Sequence, residues 1–83
     1  MTETEKTKVL RDLSRFVERQ FQEWNLSQSE RSIALLLLKG LSLKEISTLR
    51  KTSERTVRHQ TLAVYQKSGL HGRAELAAYF LGL

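Results

Sequence analysis

The sequence predicts an all-α chain in which one long amphipathic helix precedes a unit of four shorter helices. Three observations predict it. The 83 residues include no proline and only four glycines, so little interrupts helical runs. Apolar side chains recur three and four residues apart, the spacing of one helix face. Two Ser-x-x-Glu tetrads, Ser27 to Glu30 and Ser42 to Glu45, each stand directly before such a run, where a helix N-terminus needs acceptors for its free N–H groups.

The first helix is predicted from about residue 4 to Trp24. With a turn of about 100° per residue, Val9, Leu10, Leu13, Phe16, Val17, Phe21 and Trp24 share one side. Arg11, Arg15, Glu18, Arg19 and Gln22 take the other. Leu10, Val17 and Trp24 repeat every seven residues with Leu13 between them, a coiled-coil-like seam that Gln20 interrupts and that is too short for a coiled coil. The seam packs either on a second copy or back on its own domain. Residues 1–25 therefore form one segment, for dimerisation or core packing, and residues 26–83 the other. For a dimer, the candidate interface is Leu10, Leu13, Val17, Phe21 and Trp24, joined by Tyr79 and Phe80 from the C-terminal apolar run ending at Leu83.

The second helix opens at the Ser27 box and runs to Lys39. It is apolar on nearly every side from Ile33 to Leu38, which predicts a central, mostly buried helix, and Gly40 supplies its left-handed stop. The third opens at the Ser42 box and runs to about Arg50, with Leu43, Ile46 and Leu49 expected to face inward. Lys51, Thr52 and Ser53 make a tight turn, and Ser53 caps a fourth helix from Glu54 to about Lys67, ended by Gly69. A last helix from Arg73 to about Leu81 turns Leu76, Ala77 and Phe80 inward.

Charge is unevenly placed. Lys6, Lys8, Arg11, Arg15 and Arg19 cancel Glu3, Glu5, Asp12, Glu18 and Glu23 in residues 1–26, so residues 27–83 supply the whole net charge of +5. Arg50, Lys51, Arg55, Arg58 and Lys67 cluster there, opposed only by Glu54. Clustered positive charge attracts a polyanion. Two short helices across a tight turn, the second cationic, form a helix-turn-helix arrangement. On that second helix Val57 and Val64 mark a buried face. Arg55, Arg58, His59, Leu62 and Gln66 lie opposite, where arginine can grip guanine and leucine can meet a thymine methyl. Gln60 and Thr61 flank the core, within reach of phosphates together with Ser53, Thr56 and Lys67.

Residues 26–76 resemble the LuxR/FixJ/GerE family of DNA-binding domains, also found at the C-terminus of NarL-type response regulators. The resemblance rests on Leu26-Ser27-x-x-Glu30 and on Leu36-Leu37-x-Lys39-Gly40-Leu41-Ser42-x-Lys44-Glu45-Ile46. It continues through Thr56-Val57-Arg58, Val64-Tyr65-x-Lys67-x-Gly69-Leu70 and Arg73-Ala74-Glu75-Leu76. It implies a four-helix domain whose helix from Glu54 to Lys67 enters the major groove of double-stranded DNA. It implies base-facing positions at Arg58, His59 and Leu62, and phosphate-facing ones at Lys44, Ser53, Thr56, Gln60 and Lys67. Arg55 joins the first set, and Arg50 and Lys51 the second, through the cationic cluster. The chain departs from the family pattern at Gln60, where histidine is usual, at Leu62, often polar or basic, at Ser47, usually alanine, and at Gln28, often proline. Members usually carry an N-terminal receiver or ligand-binding domain, and one helix alone precedes the helix-turn-helix here. Either a stand-alone regulator is therefore expected, or one controlled by a partner or by its own abundance.

Other classes fit poorly. The absence of cysteine excludes disulfides and thiolate metal sites, and His59 and His71 stand far apart without carboxylates at ligand spacing. No glycine-rich phosphate loop occurs, so neither enzyme activity, metal, cofactor nor small-molecule ligand is expected. The longest apolar run, Ile33 to Leu38, is far short of a membrane span, and the N-terminus lacks a signal-peptide core. A soluble, cytoplasmic bacterial protein is expected. Two alternatives share the fold: a protein-interaction module that sequesters a related regulator by heterodimerisation, and region four of a sigma factor. The retained cationic face argues against the first, and the missing upstream regions against the second.

Overall fold

A computed structural model describes residues 4–82; residues 1–3 and Leu83 lie outside the described residues. Among these, five helices and no strand occur: α1 (Glu5–Glu23), α2 (Gln28–Leu38), α3 (Leu43–Arg50), α4 (Glu54–Ser68) and α5 (Arg73–Leu81). Each start has a local cause. Thr4, Ser27, Ser42 and Ser53 are in extended conformation, and each side chain accepts the N–H three residues on. At α2 and α3 the box is reciprocal, because Glu30 and Glu45 accept the Ser27 and Ser42 backbone N–H at 2.8 Å. Ser42 thereby holds the Glu45 carboxyl below the usual carboxylate range. Helix α5 has no such cap; Gly72 precedes it in extended backbone.

The core draws on all five helices. Val17 and Phe21 of α1, Leu26 in the corner that follows it, Ile33, Ala34 and Leu37 of α2, Ile46 of α3, Val57 and Val64 of α4, and Leu76 and Phe80 of α5 form one buried cluster. α2 packs on α4 and α5, and α3 packs on α4. An aromatic group closes the α1–α5 side. Trp24 lies 5.2 Å from Tyr79, and the Phe80 ring meets Phe16, Phe21 and Trp24 edge-on. Such edge-to-face contacts add to the burial of the rings themselves.

Three expectations about packing need correction. Leu49 does not face inward but is 62% exposed. The inward stripe of α3 is Leu43, Ile46, Ser47 and Arg50, at the spacing of one helix face, and Leu49 falls off it. Ser47 fits there because its hydroxyl donates to the Lys44 carbonyl at 2.7 Å. Helix α2 is less enclosed than its composition suggests, since Leu35 is exposed and Leu36 and Leu38 are half-buried. The seam of α1 does not form one outer face. Val17 and Phe21 are core residues, Trp24 is half-buried and Phe80 is buried, so none of these four lies on an open surface. Leu10, Leu13 and Tyr79 remain exposed.

Candidate nucleic-acid interface

The turn between α3 and α4 is built by backbone geometry. Lys51 takes a left-handed conformation, φ +55°, which stops α3, and the Thr52 N–H returns to the Ser47 carbonyl at 3.0 Å. Ser53 then restarts the chain, its hydroxyl accepting the Thr56 N–H at 3.1 Å and donating to the Thr56 hydroxyl at 3.0 Å. Lys51, Ser53 and Thr56 are all exposed at this corner.

Helix α4 then separates two faces. Val57, Thr61 and Val64 are buried against the body. Arg55, Arg58, His59, Leu62 and Gln66 recur at the spacing of a single helix face and are exposed along it. Leu62 is 53% exposed in this otherwise polar row. A shallow apolar recess continues from it past Tyr65, Gly69, Leu70 and His71. Burial pushes the Tyr65 hydroxyl above its ordinary pKa. Gly69, with φ +77°, stops the helix in the left-handed region that glycine enters without strain.

The residues expected to face phosphates divide. Lys44, Lys51, Ser53 and Thr56 are exposed. Arg50 is half-buried, and its guanidinium binds the Ser32 hydroxyl on α2, so it braces α3 against α2. Gln60 is half-buried with its Oε1 enclosed by protein atoms, and Thr61 is buried outright. Lys67 is held by Glu30 at 2.7 Å and reaches the Asn25 carbonyl at 3.4 Å. The Arg50–Ser32 and Lys67–Glu30 contacts were missed in the sequence because their partners stand 18 and 37 residues away. The inward spacing of Arg50 after Leu43 and Ile46 was the one available signal.

No helix among the described residues is long and apolar enough to cross a membrane. No cluster of metal-ligating side chains occurs among them either. The profile of the luxR family of bacterial regulatory proteins matches residues 24–80. No curated protein and no solved structure matches the chain.

Proposed function

The chain belongs to the luxR family of bacterial regulatory proteins, and we propose that it binds double-stranded DNA sequence-specifically as a small cytoplasmic transcriptional regulator without enzyme activity. Helix α4 enters the major groove. Arg55, Arg58, His59 and Leu62 meet base edges, and Lys44, Lys51, Ser53 and Thr56 meet the phosphates on either side. One observation carries this reading: a single face of α4 exposes two arginines, a histidine and a leucine, while the opposite face is anchored in the core. An anchored helix holds its readers at a fixed angle to the groove. The exposed leucine favours DNA over a generic anion, because an apolar side chain gains from a thymine methyl and gains nothing from a charge.

The regulator acts as a homodimer. The N-terminal half of α1 exposes Val9, Leu10, Leu13 and Phe16, the last stacked on Tyr79 of α5. Leu10, Leu13 and Val17 also border a groove of 240 Å³ against Leu35 of α2. A second copy is the fitting occupant on charge grounds. From Lys8 to Arg19, the cations Lys8, Arg11, Arg15 and Arg19 turn away from this strip and Glu18 borders the groove, while Lys6 stands one turn before Leu10 on the apolar side. Two copies with a net charge of +5 can therefore meet here with Lys6 as the one cation of α1 on the shared side.

The test is selection of bound duplexes from a random pool, followed by affinity measurements on the recovered site and a scrambled one. The expected result is preference for the recovered site and a steep loss of affinity with salt. Equal binding of both duplexes, or none at low salt, would sink the reading; capture of a related regulator in place of DNA would favour the sequestering alternative.

A further inference from the structure

One carboxylate joins three parts of the chain. Glu30 Oε1 accepts the Ser27 backbone N–H at 2.8 Å, closing the cap of α2. The same atom lies 2.7 Å from Lys67 Nζ, in the last turn of α4. That ammonium also donates to the Asn25 carbonyl at 3.4 Å. Asn25 sits at the corner between α1 and α2 with φ +56°, a conformation that few non-glycine residues adopt unless their surroundings hold them there.

The location of Lys67 separates it from the reading face. It follows Gln60 by seven residues and Val64 by three, both of which turn toward the body, whereas the reading face runs through Arg55, Arg58, Leu62 and Gln66. The Glu30 side chain is only 13% exposed. Moving the ammonium to a DNA phosphate would strand that carboxylate with one polar partner fewer in a largely enclosed place, which is costly. The Lys67 ammonium, above all, holds the Glu30 carboxyl below its ordinary pKa, so the carboxylate is charged near neutrality.

We propose that Lys67 is a positioning residue for the DNA-reading helix rather than a phosphate ligand. Through Glu30 and the Asn25 carbonyl it fixes the C-terminal end of α4 to the corner where α1 meets α2. The proposal rests on the DNA-binding reading above. The N-terminal end of α4 is already set by the Lys51 turn and the Ser53 cap. A 15-residue helix is about 22 Å long, so a small tilt at a loose far end displaces every reading side chain between. The same joint links the dimer-forming α1 to the DNA-reading α4.

The test uses the full chain and its selected duplex, with Lys67→Met, which keeps the aliphatic stem, and Glu30→Gln, which keeps a capping side chain but loses the charge. Each variant should weaken specific binding by the same factor, roughly tenfold, and the double variant should be no weaker than either. The slope of log affinity against log salt should stay at its wild-type value, while Lys51→Met lowers it by about 0.9 per protomer bound, the signature of one lost phosphate contact in each. Lys67→Arg should restore most of the affinity. The proposal is overturned if Lys67→Met lowers the slope by that amount while Glu30→Gln leaves binding intact, if neither variant weakens binding, or if the two losses add. Should Lys67→Met fail to fold, the wild-type chain decides through the Lys67 Nζ resonance. It should keep its position on titration with duplex, and a large shift refutes the clamp. A wild type that binds no duplex overturns the DNA reading and this proposal together; the outcomes above overturn this one alone.

Discussion

The Tyr79 hydroxyl donates to Gln20 Oε1 at 2.6 Å, so the residue that breaks the apolar seam of α1 is the one that fastens α1 to α5. Around this bond Phe16 stacks 6.5 Å from Tyr79 and Trp24 lies 5.7 Å from Phe80. The two halves of α1 consequently differ. Val17 and Phe21 are structural parts of the domain, whereas Val9 to Phe16 are surface.

That division predicts two unlike stability effects. Phe21 is 1% exposed, so Phe21→Ala should cost about 3–5 kcal/mol through lost burial and the cavity left behind. Val9→Ala should stay within about 0.5 kcal/mol, as surface changes usually do. Urea denaturation of both variants measures the difference, and equal midpoints would mean that α1 is not anchored in the core.

Local signals made most of the fold legible. Both capping boxes, the Ser53 cap and the Gly69 stop act within four residues of chain, and the sequence displays them directly. The outward row Arg55, Arg58, His59 and Leu62 followed from helix periodicity, and these residues are exposed as expected. What sequence could not supply was which cations are already engaged. Arg50 and Lys67 look like surface charges until Ser32 and Glu30 are seen beside them. The seam of α1 posed the same problem: an apolar stripe says that it must be covered, but not by what. The structure divides the answer at Val17.

The pairing of Glu30 makes stability pH-dependent in a definite direction. Its folded carboxyl pKa lies below the ordinary 4.5, so its contribution is fully present above that value and is lost as pH falls through the lowered folded one. Wild type should exceed Glu30→Gln near pH 7 by no more than about 1 kcal/mol, because Lys67 is partly exposed, with the gap narrowing as pH falls below 4.5. Chemical denaturation of both proteins from pH 3 to pH 7 tests this, and a gap independent of pH would contradict it.

Arg58 and Lys51 are exposed in different places and should fail differently. Arg58→Ala should cost about 1–3 kcal/mol on the selected site and relax preference at one base pair. Lys51→Met should weaken all sequences alike and lower the salt slope by about 0.9 per protomer bound. Competition binding against singly substituted duplexes separates the two patterns. Uniform weakening by Arg58→Ala would make it a phosphate contact and leave Arg55, His59 and Leu62 to carry the readout.

Dimerisation should depend on the exposed half of α1 alone. Leu10 is 58% exposed and Leu13 36%, so Leu10→Glu/Leu13→Glu changes the surface without opening the core. Val17 cannot serve the same purpose, because a charge there would be buried and would unfold the domain whether or not it dimerises. Wild type should sediment as a dimer at micromolar concentrations without DNA, and the double variant as a folded monomer with unchanged helical circular dichroism. Two-fold pairing also sets two α4 helices for adjacent major grooves, about 34 Å apart, so an inverted repeat should bind far more tightly than a half-site. In the monomeric variant that advantage should vanish while half-site affinity persists. Two results refute the interface: a wild type that stays monomeric at high micromolar concentration, or a double variant that still dimerises. In the second case the partner contact would lie elsewhere, with exposed Leu49 on α3 the next surface to examine.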